Sequence, residues 1–495
     1  MSLIVLGLDH SSDDGIYGLE LSPTLRYIQE LLEANGIPDF VVLPKKHIQG
    51  ENLKESYLTA LNEVFEIIAT EAVKREVTVL GISTTTWTYE GIMGIVAGFK
   101  ETLREVEKQA GLEISIPIAL GGPHFRPGNL DNTVRECFNF RPGNLDNTVR
   151  ECFNHREGHN ADVVVRGNFQ ALIDFYKAFK DGVYKFEDGH FKLNQSPPPG
   201  VFVRADGGIV GAGKSLPDKQ LQSMPFIVQP FFDNYMISGI FDNRCPNSCD
   251  FCSKNQSQLR FSLEQLYNGI VKLGVNPNLV KSVNFLDANP FGDINVQRTT
   301  EYVRNLRSIF GEEVQFEFFV DPACLISQRD VIYQLAPYTL QVYIGRDAVT
   351  EENARAIGTR RGNTIRDQAA LDQERRAIIE YVEELKRTRN GNIRWIDISY
   401  IVSPLETREG WNIMLDESRE FAAMGDENGF NLLVQHCPLV PHPQTLVRHR
   451  MRRYLKHPII YSSDAEKVWD FSKLPKDSVF PRIVEMLNKS AEQKS

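Results

Sequence analysis

Residues 244–252 read RCPNSCDFC, which places Cys245, Cys249 and Cys252 at the spacing C-x3-C-x2-C in a loop just after a predicted strand. Three thiolates on a tight loop can bind three irons of a [4Fe–4S] cluster, which leaves the fourth iron without a nearby protein ligand. A zinc site would need a fourth Cys or His, and none follows within thirty residues. Three unrelated buried cysteines are the remaining alternative. The spacing therefore predicts a cluster site with one open iron.

The sequence around this loop alternates between strand and helix signals. Helical stretches at 298–309, 367–387 and 412–424 separate short apolar runs. Six such β/α units fit a partial or full parallel barrel, in which chemistry collects at the carboxyl ends of the strands. We expect this barrel over 236–446 and a short C-terminal helical region over 447–495. The predicted strands are Met236–Ile240, Ser282–Leu286, Val314–Val320, Leu340–Ile344, Ile396–Val402 and Asn431–Gln435.

A similar alternation covers residues 1–195. A helix begins at the cap Ser22-Pro23, and further helices are predicted over 54–74 and 92–109. Strands separated by such helices predict a parallel sheet in a Rossmann-like or flavodoxin-like domain, whose ligand lies outside the strands' carboxyl ends. Residues 196–235 are expected to form a linker with a small hairpin, VFVRADGGIVGAG. The five predicted strands are Leu3–Leu8, Phe40–Leu43, Val77–Ile82, Ile114–Leu120 and Asp162–Val165.

Composition and charge argue against several classes of protein. The chain has 495 residues, enough for about three domains, and its 42% hydrophobic and 24% charged residues are typical of a soluble globular protein. The net charge of −10 argues against a nucleic-acid partner. Neither a bilayer-spanning apolar run nor a signal peptide is evident, so no membrane partner is expected. Seven cysteines, three of them clustered, favour a reducing compartment and hence the cytoplasm.

The cysteine loop, with Phe251 just before its last cysteine, resembles that of the radical S-adenosylmethionine (SAM) enzymes. The resemblance implies that the open iron binds the amino and carboxylate groups of SAM. It also implies that reduction of the cluster cleaves SAM to a 5′-deoxyadenosyl radical. Phe251 is then expected to border the adenine.

Four later segments are similar to the strands that surround SAM in this family. They are SVNFLDANPFGD (282–293), FEFFVDPA (316–323), LQVYIGRDAVTEENARAIGTR (340–360) and CPLVPHPQTLV (437–447). For an Asp after a strand, such as Asp321, a helix N-cap is the structural alternative. The resemblance implies SAM contacts at Phe251, Leu286, Asp287, Asn289, Asp321, Gly345 and Asp347.

The N-terminal segments GISTTTWTYEG (81–91), ALGGPHF (119–125) and ADVVVRGN (161–168) resemble the cobalamin-binding domain that precedes one subclass of these enzymes. Paired glycines let a nucleotide-like tail approach the backbone. The D-x-H-x-x-G pattern is absent, because Asp9 and His10 are adjacent, so cobalamin is expected without a protein histidine on cobalt. Trp87 is the candidate for its lower face. The candidate cobalamin contacts are Ser83, Thr84, Thr86, Trp87, Gly121, Gly122, Pro123 and Gly167.

The resemblance implies an α/β protein with a B12-binding domain, a partial (β/α)6 radical SAM barrel and a helical tail. It implies a cobalamin-dependent C-methyltransferase that moves a methyl group from SAM, through methylcobalamin, to a carbon of a small-molecule or peptide substrate. A flavodoxin or ferredoxin would supply electrons. One alternative is a radical SAM enzyme whose B12-type domain is vestigial or does not methylate, and which forms rings or other bonds. A second is a non-enzymatic cobalamin or Fe–S sensor.

Several further residues are candidates for contact with the substrate. A phenol, thiol or imidazole near a barrel strand end can position a substrate or move a proton. The basic run after residue 447 could receive an anionic substrate, although a solvated helix face is the ordinary alternative. The catalytic candidates are Tyr343, Tyr400, Cys324, Cys437 and His436, with His442 nearby, and the basic run comprises Arg448, Arg450, Arg452, Arg453 and Lys456.

The segment FRPGNLDNTVRECFN occurs twice in succession, at 125–139 and 140–154. One copy fits as the connection between the fourth and fifth predicted strands, and the second is surplus. Pro142-Gly143 disfavours one continuous helix through both copies. We therefore expect an inserted loop and helix at the domain edge, from a recent duplication or a sequence artefact.

Deletion of residues 140–154 should leave the binding of cluster and cobalamin intact, because it removes only the surplus copy. The iron content and the cobalt absorbance of the reconstituted deletion variant test this. Loss of cobalamin binding would show instead that the repeat is functional.

Overall fold

A computed structural model shows an α/β chain in two compact units, the first up to Leu221 and the second from Gln222. None of the helices in the described ranges is long and apolar enough to cross a membrane. The structure describes residues 2–8, 23–37, 40–45, 78–83, 89–110, 116–121, 161–165, 169–206, 208–211, 221–231, 234–242, 244–245, 247–252, 260–388, 394–425, 430–441, 445–456 and 465–492.

The first unit contains the predicted parallel sheet. Five strands pair in the order β2-β1-β3-β4-β5, and every neighbouring pair is parallel. This is the flavodoxin-like order, so the structure selects between the two predicted topologies. The predicted helix over 54–74 lies outside the described residues. The elements are β1 (Ser2–Leu8), α1 (Pro23–Ala34), β2 (Phe40–Lys45), β3 (Thr78–Ser83), α2 (Tyr89–Ala110), β4 (Ile118–Gly121), β5 (Val163–Val165) and α3 (Gln170–Lys180).

The same sheet continues into four further strands that the sequence did not predict as part of it. The hairpin expected in the linker forms, but its first strand pairs antiparallel with β5 through Val163 and Val203. The hairpin therefore belongs to the sheet of the first unit, because the backbone of β5 offers it a free edge. These strands are β6 (Tyr184–Glu187), β7 (His190–Leu193), β8 (Val201–Ala205) and β9 (Gly208–Gly211).

The second unit contains a seven-stranded sheet in the order β10-β11-β12-β13-β14-β17-β18. The edge strand β10 is antiparallel and was not predicted, whereas the other six are the predicted parallel strands in chain order, with helices between them. The elements up to the middle of this sheet are β10 (Phe226–Phe231), β11 (Asn234–Gly239), α4 (Leu263–Leu273), β12 (Val280–Phe285), α5 (Val296–Phe310), β13 (Gln315–Val320), α6 (Pro322–Ser327), α7 (Arg329–Leu335) and β14 (Thr339–Asp347).

The chain then forms the last two sheet strands and a helical C-terminal region. A capping box between Ser262 and Gln265 and a left-handed Gly274 bound α4, which shows how local sequence sets the helix ends. The remaining elements are α8 (Glu351–Ile357), β15 (Arg360–Arg361), β16 (Thr364–Ile365), α9 (Gln368–Arg387), β17 (Arg394–Val402), α10 (Arg408–Ala423), β18 (Phe430–Pro438), α11 (Leu446–Arg450), α12 (Ala465–Val468) and α13 (Phe480–Glu492).

The two faces of the second sheet differ in character. In β14, Leu340, Val342 and Ile344 are buried, while Gln341 and Tyr343 point to the opposite face and are only half-buried. We call the face that carries Gln341 and Tyr343 the inner face. The other, the outer face, packs against helices.

Buried charge on the outer face ties the helices to the strands. Arg346, of which 1% is exposed, donates to both carboxylate oxygens of Glu417 in α10, from Nε at 2.8 Å and from Nη2 at 3.2 Å. Its Nη1 lies 3.5 Å from Oε2 of Glu374 in α9. Tyr400 donates to Glu417 at 3.0 Å. Two strands and two helices therefore share one charge network.

Replacement of Arg346 by Met should lower the free energy of unfolding by about 3–5 kcal/mol, because it leaves Glu417 and Glu374 buried without this counter-charge. Urea unfolding followed by circular dichroism measures the loss. The matched control is Arg419→Met, which removes an exposed partner of Asp416 and should leave the midpoint unchanged. Equal effects of the two substitutions would contradict a structural role for the network.

Candidate active site

The cysteine loop follows β11, at the carboxyl end of the first parallel strand of the second sheet. Cys252 donates its backbone N–H to the carbonyl of Cys249 at 3.2 Å, which closes a turn between the two cysteines. The Sγ atom of Cys249 accepts the backbone N–H of Arg360 at 3.3 Å. Cys245, Cys249 and Cys252 are all half-buried. The loop thus presents three thiols at a strand end.

The arrangement of the three thiols is compatible with a cluster. In the part of the chain that the structure describes, no three His, Cys, Asp or Glu side chains converge to hold one metal ion. In a [4Fe–4S] cluster each thiolate binds a different iron, so its ligands need not point at one atom. Burial and the charge of Asp347 raise the pKa of Cys249 to about 12. The metal-free thiol therefore keeps its proton, and cluster binding has to release it.

Asp250 holds the loop from its centre. Its carboxylate accepts Nε of Arg360 at 2.9 Å and pairs with Nη1 of Arg450 at 2.9 Å. Its backbone N–H donates to the carbonyl of Gly358 at 2.8 Å, and its carbonyl accepts the N–H of Val447 at 3.0 Å. The loop is therefore tied to the end of α8 and to the start of α11.

The β15–β16 hairpin supports the loop from another side. The hydroxyl of Ser248 donates to the carbonyl of Gly362 at 2.8 Å, and the N–H of Gly362 donates to Oδ1 of Asn247 at 3.0 Å. Asn247 in turn donates to Oδ2 of Asp321. The cysteine loop, the hairpin and the end of β13 thus form one hydrogen-bonded assembly.

Two of the predicted SAM contacts, Asp287 and Asp321, have partners within the protein. The carboxylate of Asp287 is buried and accepts the backbone N–H groups of Phe241 and Asp242, where the cysteine loop begins. Asp321 caps α6 by accepting the N–H of Ala323 at 3.0 Å, and it also pairs with Arg366 at 3.0 Å. The N-cap alternative therefore describes Asp321, and Asp287 positions the loop.

Asp347 is the predicted SAM contact with the most unusual environment. Its φ of 55° lies in the left-handed region, which Asp tolerates better than most residues. Its Oδ2 accepts the hydroxyl of Thr359 at 3.1 Å and lies 3.9 Å from Nη1 of Arg366. Burial raises the pKa of Asp347 to about 6. Unusual backbone and a perturbed carboxylate at a strand end are common at functional sites.

The other predicted SAM contacts also lie near the carboxyl strand ends. Leu286 donates its N–H to the carbonyl of Gly239 at 2.9 Å. The amide oxygen of buried Asn289 accepts the thiol of Cys324 at 3.4 Å. Gly345 lies on the inner face, where a Cβ atom would be 3.7 Å from a ring carbon of Phe319, an ordinary contact. Phe251 is half-buried within the cysteine loop.

The catalytic candidates divide between the two faces of the sheet. Tyr343 lies on the inner face and stacks on Phe319, with ring centroids 6.1 Å apart. Cys437 is exposed on this face, as the register partner of Ile401. Tyr400 and His436 instead stack on each other on the outer face, 5.5 Å apart.

A substrate on the inner face would not touch Tyr400 or His436. His436 Nε2 lies 2.9 Å from the hydroxyl of Ser418 in α10, and burial lowers the pKa of its imidazole. Cys324 is buried next to Asn289, and this burial raises the pKa of its thiol. Because Tyr400, His436 and Cys324 are at least half-buried and already have partners within the protein, packing roles are favoured for them.

Three arginines of the basic run contact other residues of the fold, whereas Arg452 and Lys456 are exposed. Arg448 is buried and donates to the carbonyl of Pro441 at 2.9 Å. Arg450 pairs with Asp250, and the guanidinium of Arg453 lies 4.6 Å from the ring centre of Tyr454. The contacts of these three arginines favour structural roles for them.

In the first unit, Ser83 and Gly121 end two adjacent strands and are register partners. The carboxyl ends of β3 and β4 thus lie side by side, as a ligand of a flavodoxin-like sheet requires. The other predicted cobalamin contacts lie outside the described residues, as does His442. These contacts are Thr84, Thr86, Trp87, Gly122, Pro123 and Gly167.

Sequence reasoning missed three polar residues on the inner face, Glu317, Gln341 and Asp397. Each interrupts an apolar strand, in FEFFV, LQVY and WIDIS. The signal was a polar residue among the apolar residues of a strand, but only the pairing of the strands shows that the three share one face.

Several solved structures share the fold of this chain. The structure of the radical S-adenosylmethionine methyltransferase TsrM from Kitasatospora setae with cobalamin and a [4Fe–4S] cluster bound has a TM-score of 0.56 and 13% identity, over 92% of this chain and 76% of that one. The structure of TsrM with tryptophan substrate and a SAM analogue has a TM-score of 0.57 and 13% identity, over 92% and 77%.

A third structure with this fold is the cobalamin-dependent S-adenosylmethionine radical enzyme OxsB in its apo form. Its TM-score is 0.51 at 12% identity, and the match covers 99% of this chain and 61% of OxsB. Searches of protein-family models and of curated proteins find no match. At such low identity the likeness establishes a shared fold.

Gly358→Ala should destabilise the cysteine loop more than Gly362→Ala. Both glycines have a left-handed φ, of 71° and 59°, but only at Gly358 would a Cβ atom lie 2.3 Å from the carboxylate of Asp250. The clash should cost about 1–3 kcal/mol beyond the strain that both variants share. Urea unfolding and the iron content after anaerobic reconstitution measure the difference. Equal stability and iron content in the two variants would contradict the proposed anchor.

Proposed function

We propose that this chain is a cobalamin-dependent radical SAM enzyme that transfers a methyl group from SAM, through methylcobalamin, to a carbon atom of a small-molecule or peptide substrate. The observation that carries the proposal is the C-x3-C-x2-C loop at the carboxyl end of β11, which Asp250 holds beside the ends of the six parallel strands of the second sheet. The shared fold with TsrM over 92% of the chain supports it.

Three thiols would hold the cluster, those of Cys245, Cys249 and Cys252. The backbone N–H of Arg360 faces Cys249 Sγ and would stabilise the charged thiolate. When bound, the cluster supplies an electron to SAM at its open iron, which breaks a carbon–sulfur bond of the sulfonium. The arginines on Asp250 keep the loop in place during this change of charge.

The residues around the loop would bind and orient SAM. Phe251 is the candidate for contact with the adenine, because it is half-buried next to the last cysteine. Asp347 is the candidate acceptor for a SAM hydroxyl or ammonium group, since Thr359 and Arg366 hold its carboxylate at the end of β14. Asp287 and Asp321 would act indirectly, by fixing the loop and α6.

The flavodoxin-like sheet would bind cobalamin at its carboxyl ends. Gly121 lets a ligand approach the backbone, and Ser83 ends the neighbouring strand. When bound, methylcobalamin supplies a methyl group that a carbon radical can accept, which the electrophilic methyl group of SAM does not readily do. The absence of the D-x-H-x-x-G pattern predicts that no protein histidine binds cobalt.

A second candidate function is a cobalamin-dependent radical reaction without methyl transfer. The cobalamin-dependent S-adenosylmethionine radical enzyme OxsB shares the fold over 99% of this chain, which favours this candidate. The second candidate requires cleavage of SAM to 5′-deoxyadenosine, as does methyl transfer to a carbon radical. Only methyl transfer also produces S-adenosylhomocysteine.

Anaerobic incubation with SAM and a reductant should yield both 5′-deoxyadenosine and S-adenosylhomocysteine, because one SAM recharges cobalamin and a second forms the radical. Liquid chromatography with mass spectrometry measures the two products. Cys249→Ala should abolish 5′-deoxyadenosine, whereas Cys152→Ala, in the surplus repeat, should not. Formation of 5′-deoxyadenosine alone would exclude methyl transfer and favour the second candidate, and formation of neither would exclude both.

A further inference from the structure

A buried carboxyl group lies in the middle of an apolar strand of the second sheet. Glu317 occupies the centre of β13, between Phe316 and Phe318, and only 2% of it is exposed. Burial of a carboxyl group is costly unless hydrogen bonds or opposite charges compensate it. Its surroundings therefore indicate what the site is built to hold.

Glu317 has few hydrogen-bond partners among the described residues. Its Oε1 accepts the hydroxyl of Ser282 on β12 at 3.4 Å, which is a long hydrogen bond. Its Oε2 is buried and has no hydrogen-bond partner among the described residues. One carboxyl oxygen is therefore available to a hydrogen-bond donor that is not among the described residues.

A second acid lies on the same face, two strands away. Glu317 is the register partner of Gln341, and Tyr343 is the register partner of Asp397, so all four side chains share the inner face. Gln341 donates to Oδ2 of Asp397 at 2.8 Å. The negative charge of Asp397 acts on Glu317, which shows that the two acids lie within electrostatic reach.

Aromatic rings border these acids. Phe319 follows Glu317 on the inner face and is 43% exposed, an unusual fraction for a large apolar side chain in a central strand. It stacks on Tyr343 with an interplanar angle of 13°. Trp395 shares the face as the register partner of Gln341 and is half-buried. The site therefore combines negative charge with flat apolar surface.

We propose that Glu317 and Asp397 bind a protonated nitrogen of the substrate while Phe319 and Tyr343 pack against its apolar body, so that the substrate is an organic ammonium ion. This rests on the proposed function, in which the inner face of the second sheet receives the substrate. Along β14 the distance from Tyr343 to Asp347 at the strand end is about 13 Å at 3.3 Å per residue. A small molecule anchored at the acids would thus extend towards the candidate SAM site.

A cation fits this site better than an anion or a neutral group. Two carboxylates on one face would repel an anion. A neutral donor would satisfy Oε2 of Glu317 but would not offset the charge of Asp397. An ammonium group does both and is also attracted to the faces of aromatic rings.

The acid–base behaviour of Glu317 supplies a second signature. Burial and the charge of Asp397 raise the pKa of Glu317 to about 7. Of the elements beside it, β12 contributes Ser282 and β14 contributes Gln341, which carry no charge, and β17 contributes Asp397. A cation prefers the ionised carboxylate, so its affinity should rise between about pH 6 and about pH 8. The amine itself stays protonated over this range.

Equilibrium dialysis of the full, anaerobically purified chain tests the proposal with three matched pairs of probes, namely phenethylamine with phenylethanol, tryptamine with tryptophol, and hexylamine with hexanol. At least one amine should bind about tenfold or more tightly than its alcohol. Glu317→Gln and Asp397→Asn should each weaken that amine about tenfold and leave the alcohol unchanged. The pH dependence should disappear in Glu317→Gln.

The control variant is Glu313→Gln, in the exposed turn before β13, which should bind as the wild type does. Thermal unfolding checks that the variants fold, and Asp397→Asn tests the site independently if Glu317→Gln does not. The proposal is overturned if no amine binds better than its alcohol, or if the preference survives in both acid variants. Dialysis requires no turnover of SAM, so this failure is distinguishable from failure of the product assay.

Discussion

The buried carboxylate of Asp250 is the interaction on which the candidate active site depends. Asp250 lies between Cys249 and Phe251 in the sequence. Its carboxylate forms ion pairs with Arg360 and Arg450, which come from two separate parts of the chain. A buried charge is tolerated only where it is paired and hydrogen-bonded, so the loop is stable in one position, with both arginines in place. The same constraint explains the need for Gly358, because any side chain there would occupy the space of the carboxylate.

Buried charge has different consequences on the two faces of the second sheet. On the outer face, Arg346 and Glu417 satisfy each other and fix the helices against the strands. On the inner face, Glu317 keeps one oxygen without a partner and lies near a second acid. Ion pairs therefore stabilise the packing of helices on the outer face, whereas the unpartnered oxygen of Glu317 supports our proposal that the inner face binds a ligand.

Much of this architecture could be predicted from the sequence, and the reasons for the exceptions are physical. The six parallel strands were found because each is a short apolar run between helical segments. The edge strand β10 was missed because its pairing is antiparallel and its residues followed a Pro- and Gly-rich stretch. Tyr400 and His436 were predicted as candidates for substrate contact, and both lie on the outer face. The alternation of residues along a strand does not show which face is the inner one until the pairing of the strands is known. The register shift next to Arg346 changes that alternation at the strand end.

The central claim is that Cys245, Cys249 and Cys252 hold a cluster with one iron open to SAM. Electron paramagnetic resonance of the reduced, anaerobically reconstituted chain, recorded with and without SAM, tests it most directly. We expect the spectrum of a reduced [4Fe–4S] cluster whose g-values shift when SAM binds to the open iron. A chain that assembles no cluster, or a cluster spectrum that SAM leaves unchanged, would contradict it.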